Sequence, residues 1–403
     1  MITELKIEGF KSFGMGTRPV HLGPLNFIVG ANASGKTNLI SALRFLQTAV
    51  LQNVELAVDG FGGLTEVRNK LLRERQESKP LTLKLRIGQL PAQFKFDAQN
   101  LTLEKVAYEL KLDVRNDSGA PVVESENLTA EIKDSKGAVF PYNLTRSRHE
   151  VQIQDPLTKL KGSQSLQVPP QEYSRLALGV GFYSLPCVIL RSYIEHWSFF
   201  NISPNVARQP FKDTADVNLG PAGEQLSVVL HRIEKENGKE ALASIVAGLK
   251  GAIPGFKGIK TTQLPVENKW AFQILEERMR GAINPESVSD GTIRLLALLV
   301  IALWSSKYSS LMAIEEPENG LHPQLSEHVV SVLREASTRR QILVTTHNPT
   351  FLDFLEPAEV LLCDKIDGFT SIASAADNQE VTSFKRKFRL GELWEQGVLG
   401  GIP

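Results

Sequence analysis

The stretch Leu25–Asn38, reading LNFIVGANASGKTN, constrains this chain more than any other. Its apolar run, Leu25, Phe27, Ile28 and Val29, has the length of a buried strand. It ends in a loop that matches G-x-x-x-x-G-K-[ST] through Gly30, Gly35, Lys36 and Thr37. A helix is predicted to follow, from Lys36 to Val50. In such a unit the backbone N–H groups of the loop wrap a phosphate, and the helix N-terminus adds its positive dipole end. Lys36 is placed to reach the β- and γ-phosphates of a nucleotide, and the Thr37 hydroxyl to ligate Mg²⁺.

A phosphate loop needs a carboxylate for its metal and a group to align water. The segment LMAIEEPENGLHP, Leu311–Pro323, supplies both. A buried strand is predicted to end at Glu315, in position to hold Mg²⁺, with Glu316 next to it as the base for attacking water. A second apolar strand, in QILVTTHNP, ends at Thr345, Thr346 and His347. Beside the carboxylate strand, His347 is placed to contact the γ-phosphate. The final third alternates in βα order: helix Gly291–Ser306, strand Ser310–Glu315, helix Pro323–Ala336, strand Gln341–Thr345. That order predicts a mostly parallel, covered sheet and an α/β fold class. The hairpin Val360–Cys363 with Thr370–Ile372 and the basic stretch Lys385–Arg389 follow.

At 403 residues the chain exceeds the usual single domain, so one domain with an insertion or two lobes is expected. Basic and acidic residues are equal at 45 each, so no global charge announces nucleic acid. Two distant cysteines, Cys187 and Cys363, exclude a C-x-x-C zinc site and a disulfide framework, and a reducing, cytoplasmic setting is expected. The opening MITELKIEGF has no signal-peptide pattern. The run Leu295–Trp304 is far shorter than the roughly 20 apolar residues of a membrane span, so no membrane partner is expected.

Between the two motif-bearing ends lie candidate strands at Leu81–Ile87, Gln93–Phe96, Val106–Val114, Leu128–Ile132 and Val151–Ile153, which read as an antiparallel β lobe. From Pro169 the pattern turns helical, with Leu226, Val229, Leu230 and Ile233 at helical spacing and Leu242, Ile245, Val246 and Leu249 repeating it. The expected organisation is a nucleotide-binding part over 1–80, a β-rich lobe over 81–168, a helical insertion over 169–285 and the second nucleotide-binding part over 286–403.

The set G-x-N-x-S-G-K-T-N (Gly30–Asn38), S-V-S-D-G-T (Ser287–Thr292), I-E-E-P-E-N-G-L-H-P (Ile314–Pro323) and T-T-H-N-P (Thr345–Pro349) resembles the ABC-type ATPase heads of the SMC, RecF and OLD group. It is most similar to stand-alone AAA-type, RecF-like ATPases, and GFKSF at Gly9–Phe13 is similar to the SMC opening. The resemblance implies an ABC-type head, a mixed β lobe beside a RecA-like parallel core, with a β-rich and helical insertion. It implies ATP and Mg²⁺ as ligands, with Asn32, Ser34 and Asn38 joining the cradle. Ser289 and Gly291 take the signature positions, which bind ATP held by a second copy. A head-to-head homodimer, or a higher homo-oligomer, sandwiching two nucleotides is therefore implied. Taken alone, SDGT before an apolar helix is an ordinary N-cap, and the two readings are compatible.

Two positions depart from the pattern. Glu315 stands where aspartate is usual, and His322 where the D-loop often carries aspartate. A Q-loop glutamine has no clear place. The resemblance implies an ATP-hydrolysing switch that controls a separate nuclease or toxin in anti-phage defence. Only 56 residues follow His347, too few for the TOPRIM nuclease of OLD proteins. The alternative is a DNA-binding repair or chromosome-maintenance ATPase, with Lys70, Arg73, Arg75 and Lys385–Arg389 as phosphate contacts.

Overall fold

The computed structural model describes the chain apart from residues 75–78, 91–93, 97–98, 114–119, 158–163, 181–183, 215–216, 265–266, 306–308, 385–387, 398 and 400–403. Six strands form a central sheet in the order Trp197–Phe200, Leu311–Glu315, Gln341–Thr346, Leu25–Val29, Val360–Ile366 and Phe369–Ser374. The first five run parallel and the last turns back antiparallel. The phosphate-loop strand and the carboxylate strand thus flank the strand that leads to His347. Glu315 pairs with Thr345 and Thr346 with Val29, so the three strands end level with one another.

These strands are apolar throughout because both faces are covered. Period-two alternation divides their side chains between two cores. Ile28, Leu311, Ala313 and Leu343 face the helix Lys36–Leu51 and the β lobe, whereas Phe27, Val29, Met312, Ile314 and Val344 face the helices Leu226–Ala252, Asp290–Leu303 and Ser326–Ser337.

The β lobe is an antiparallel sheet in the order Gln164–Gln167, Glu150–Gln154, Val139–Ser147, Val122–Lys133, Gln99–Asp113, Leu81–Gln89, Ile2–Glu8 and Val20–His21, with Phe94–Phe96 paired to Gln99–Asp113. The N-terminal strand is therefore part of the lobe. Its attachment to the core sheet is a buried amide: Gln341 accepts from the Ile2 N–H (3.0 Å) and donates to the carbonyls of Ile2 (2.7 Å) and Gly23 (2.9 Å). The lobe's exposed face carries cross-strand ion pairs such as Lys84–Glu109 and Lys105–Glu131, each at 3.0 Å.

Inside the lobe, Glu126 is fully buried and holds the following segment in place. It accepts from Tyr108 Oη (3.0 Å) and from the N–H groups of Ala177 (2.6 Å) and Leu178 (2.9 Å). Arg146, also buried, lies 3.7 Å from Glu126 and donates to the carbonyl of Glu172 at 3.0 Å. Burial pushes the Glu126 carboxyl up while Arg146 holds it down. Glu126→Ala would leave the guanidinium buried without the carboxylate 3.7 Å from it, an expected loss of about 3–5 kcal/mol in urea unfolding. Unchanged stability would mean that the pair is not buried in solution.

Residues 169–285 are not uniformly helical, which corrects the expectation from sequence. The 27-residue helix Leu226–Ala252 contains both predicted apolar stripes. Trp197–Phe200, however, is the edge strand of the central sheet, beside the carboxylate strand. Phe256–Leu264, Lys269–Glu276 and Ala282–Ile283 form a separate three-stranded sheet. Strands of two to nine residues pass beneath a helical reading when their alternation is imperfect. The lobe strands Val139–Ser147 and Gln164–Gln167 were likewise not anticipated.

Candidate functional site

The phosphate loop leaves its strand at Gly30 and enters the helix at Lys36. Gly35 has φ of 113°, a conformation open to glycine, and a Cβ there would sit 2.0 Å from Thr370 Oγ1. The glycine thus also admits the hairpin 360–374 against the back of the loop. That contact is a relay: Asn38 Nδ2 donates to Ser12 Oγ (2.6 Å), Ser12 Oγ lies 2.6 Å from Thr370 Oγ1, and Thr370 Oγ1 donates to the Ser34 carbonyl (2.7 Å). The amide nitrogen of Asn38 is engaged with Ser12, so this side chain braces the loop. Ser12, from GFKSF, gains a role that its sequence context did not reveal.

Lys36 is 6% exposed, and its Nζ donates to the carbonyls of Gly30 (2.6 Å) and Ala31 (2.9 Å). Burial pushes its pKa down, opposed by Cys363, Glu316 and Glu318. Asn32 is exposed on the loop; Ser34 is buried against Cys363, whose thiol burial pushes up to about 11.

Glu315 closes its strand with its carboxylate 3.6 Å from Arg44 Nη2 and near enough to Thr37 for that hydroxyl to favour its charged form. Burial pushes its pKa up, and Arg44 and Thr37 oppose the shift. A hydroxyl and a carboxylate held together beside a phosphate loop are hard oxygen donors, the set that Mg²⁺ takes with substrate phosphates. Among the described residues, no group of three or more His, Cys, Asp or Glu could hold a metal ion, so this pair is not a self-sufficient protein cage.

Glu316 has φ of 45°, the left-handed region, and its N–H donates to the Thr345 carbonyl at 2.9 Å. Its Oε2 accepts from Asn319 (2.8 Å) and its Oε1 lies 3.6 Å from His347 Nδ1. The backbone at this residue costs about 1–3 kcal/mol, the kind of strain that gathers at functional positions.

Glu318, which sequence reasoning passed over, joins the two loops. Its Oε1 accepts from Thr346 Oγ1 (2.5 Å) and the His347 N–H (3.0 Å) and lies 3.6 Å from His347 Nδ1. Burial pushes the Glu318 carboxyl up, and Thr346 and the backbone counter it. The signal was the third acid of EEPEN, which reads as a solvated turn residue until its burial is known. Arg294, 9% exposed and attracted to Asp290, Glu318 and Glu316, was missed for the same reason, since it sits within an apolar helix.

Ser289 caps the helix Asp290–Leu303 by accepting from the Thr292 N–H at 3.2 Å. With Gly291, it opens onto a concavity of about 340 Å³ lined also by Pro254, Gly320, His322 and Gln324. None of the phosphate-loop residues lines it. The structure therefore brings Lys36, Thr37, Glu315, Glu316 and His347 together, whereas Ser289 and Gly291 line a concavity with Gly320, beyond the carboxylate turn. His322 Nδ1 is 3.4 Å from the Gln324 N–H, a local cap.

The segment LGELWEQG, Leu390–Gly397, packs close to the histidine. Its helix Leu390–Glu395 buries Leu390, Leu393 and Trp394, and the Gly391 N–H donates to Asp353 Oδ1 at 3.1 Å. It thereby braces the short helix Pro349–Leu352 that follows His347. Of the basic residues considered for DNA, Lys70 pairs with Glu66 at 3.0 Å and Arg389 with Asp353 at 3.7 Å. Arg75 and residues 385–387 lie outside the described residues, as does the side chain of Arg73.

A parallel core sheet that carries a phosphate loop, a carboxylate pair and a histidine at the level ends of adjacent strands, with an antiparallel lobe alongside, defines an ABC-type P-loop ATPase head of the SMC and RecF kind. The family model described as AAA domain, putative AbiEii toxin, Type IV TA system, matches residues 25–353, and the chain belongs to that family. An SMC head bound to the C-winged helix domain of ScpA is 14% identical with a TM-score of 0.50, over 93% of this chain and 97% of that one. The SMC head of Thermotoga maritima is 15% identical with a TM-score of 0.41, over 93% and 98%. An Smc head with extended coiled coil, bound to the C-terminal domain of ScpA and derived from Pyrococcus furiosus, is 12% identical with a TM-score of 0.47, over 96% and 99%. No curated protein matches in sequence. Among the described residues, no helix is long and apolar enough to cross a membrane.

Proposed function

We propose that this chain is an ATP-hydrolysing molecular switch whose two copies engage head to head around two ATP molecules and part after hydrolysis. The observation that carries the reading is the convergence of Lys36, the Thr37–Glu315 pair, Glu316 and His347 at the level ends of adjacent strands. The loop and Lys36 hold the phosphates. Thr37 and Glu315 would hold Mg²⁺, which when bound neutralises charge on the β- and γ-phosphates. Glu316 aligns the attacking water and accepts its proton, and His347, held by Glu318, donates to the γ-phosphate. Hydrolysis breaks the bond between the γ-phosphorus and the bridging oxygen, giving ADP and phosphate.

That no phosphate-loop residue lines the concavity of Ser289 and Gly291 supports a composite site, completed by the signature face of a second copy. The switch drives a separate effector, a nuclease or toxin, in anti-phage defence; the family's description by an AbiEii toxin and a Type IV toxin–antitoxin system supports the link to a toxin. The SMC head solved with part of ScpA shows that a head of this fold can carry a protein partner. Mass measurement tests the proposal: the species in ATP should be at least twice the 44.5 kDa of one chain and revert in ADP. A mass independent of nucleotide would overturn head engagement. Turnover stimulated by duplex DNA with a steep salt dependence would favour the DNA-clamping alternative.

A further inference from the structure

We propose that Arg208, from the central region that carries no recognised motif, is the positioning residue of the signature loop. The proposal rests on the reading that Ser289 meets nucleotide held by a second copy. Arg208 is 8% exposed. Its Nε donates to the Pro285 carbonyl (2.9 Å), and its Nη2 to the Val288 carbonyl (2.8 Å) and Asp290 Oδ1 (2.6 Å). Nη1 donates to Asn205 Oδ1 at 3.2 Å. One guanidinium therefore grips the residue before Ser289, the residue after it and the start of the turn that leads to both. A planar fork with five donors in fixed directions suits two carbonyls and a carboxylate spread along a bent segment, and a lysine ammonium does not reproduce it.

The grip comes from a short segment anchored at both ends. The helix Pro204–Ala207 follows Ser203, whose N–H donates to the Ala222 carbonyl at 2.9 Å. Phe211 and Trp270 then exchange backbone hydrogen bonds at 3.0 and 2.7 Å, tying the segment to the small sheet. That sheet's last strand, Ala282–Ile283, runs into the turn Pro285–Ser287, so the signature loop is reached from both sides by the same region. Ser289 itself is held from its own helix start: its hydroxyl meets Thr292, and its carbonyl accepts from the Ile293 N–H at 3.2 Å. Displacement of a binding group by about 1 Å costs on the order of 100-fold in rate, so the grip matters to turnover more than to folding.

Arg208→Met and Arg208→Lys test the proposal against wild type. Binding of a fluorescent ATP analogue at the phosphate loop should stay within about twofold, with KM likewise unmoved, while kcat falls about 10- to 100-fold in Arg208→Met. Arg208→Lys, which keeps the charge and loses the fork, should recover only part of this. Carried on a Glu316→Gln background, Arg208→Met should also abolish the ATP-dependent dimer. Wild-type kcat per folded molecule with a lowered unfolding temperature would overturn the proposal, leaving Arg208 a fold contact. Should Arg208→Met fail to fold, the kcat of Arg208→Lys decides. Ser289→Arg separates the two layers. If it leaves turnover intact, the signature reading itself fails; if it abolishes turnover and Arg208→Met does not, only the role of Arg208 falls.

Discussion

Glu316→Gln is expected to bind ATP as wild type does, to lose turnover by about 10²- to 10⁴-fold, and to accumulate as the ATP-held dimer. Glutamine keeps the shape of the side chain and a carbonyl oxygen for Asn319, which now donates to Glu316 Oε2 at 2.8 Å. What it loses is the capacity to accept a proton from water. A loss of that size corresponds to about 3–5 kcal/mol of transition-state stabilisation. Single-turnover phosphate release and mass in ATP measure the two halves. Retained turnover would remove Glu316 as the base. Glu318 is no ready substitute, because it is 6% exposed and its carboxylate is turned to Thr346 and the His347 N–H through Oε1. A companion variant addresses the strain. Since Glu316 holds φ at 45°, Glu316→Gly should be equally inactive yet more stable than Glu316→Gln by up to about 1 kcal/mol.

The parts of the site that were legible in sequence are those whose chemistry demands a fixed spacing within one segment. The loop Gly30–Thr37 and the pair Glu315 and Glu316 are of this kind, and each sits at the end of an apolar run that announces a buried strand. His347 needed one further inference, that its strand neighbours the carboxylate strand, and the parallel pairing of Leu311–Glu315 with Gln341–Thr346 provides it. The supports were not legible. Ser12, Thr370 and Gln341 act through contacts more than 300 residues apart in sequence, and nothing local marks them. Glu318 and Arg294 are charged residues whose importance lies in their burial, a property of the packed whole. The strand Trp197–Phe200 was hidden for a related reason: a four-residue edge strand in a helix-rich stretch has too little periodicity to show.

Gly291→Ala is expected to lower kcat about 10- to 100-fold while leaving ATP affinity at the phosphate loop unchanged. Alanine in place of glycine within a helix ordinarily stabilises by up to about 1 kcal/mol. At Gly291 the neighbour reverses that sign. A Cβ there would lie 2.6 Å from the Gly320 carbonyl oxygen and 3.6 Å from its carbon, both backbone atoms of the turn beyond Glu318. Neither can rotate away as a side-chain tip would, so the helix Asp290–Leu303 must withdraw from the turn, at a cost of about 1–3 kcal/mol. The withdrawal moves Ser289 relative to Gly320 and His322, with which it lines one concavity that includes no residue of the loop at Lys36. Gly251→Ala is the control, because Gly251 lies in the helix Leu226–Ala252 with nothing within 4 Å of its built Cβ. That variant should gain a few tenths of a kcal/mol and keep full turnover. If Gly291→Ala also kept full turnover, the spacing between the signature helix and the carboxylate turn would carry no part of the function. If it lost ATP affinity and turnover together, the disturbance would have reached the phosphate loop, and the two faces would not be the separate halves that a composite site requires.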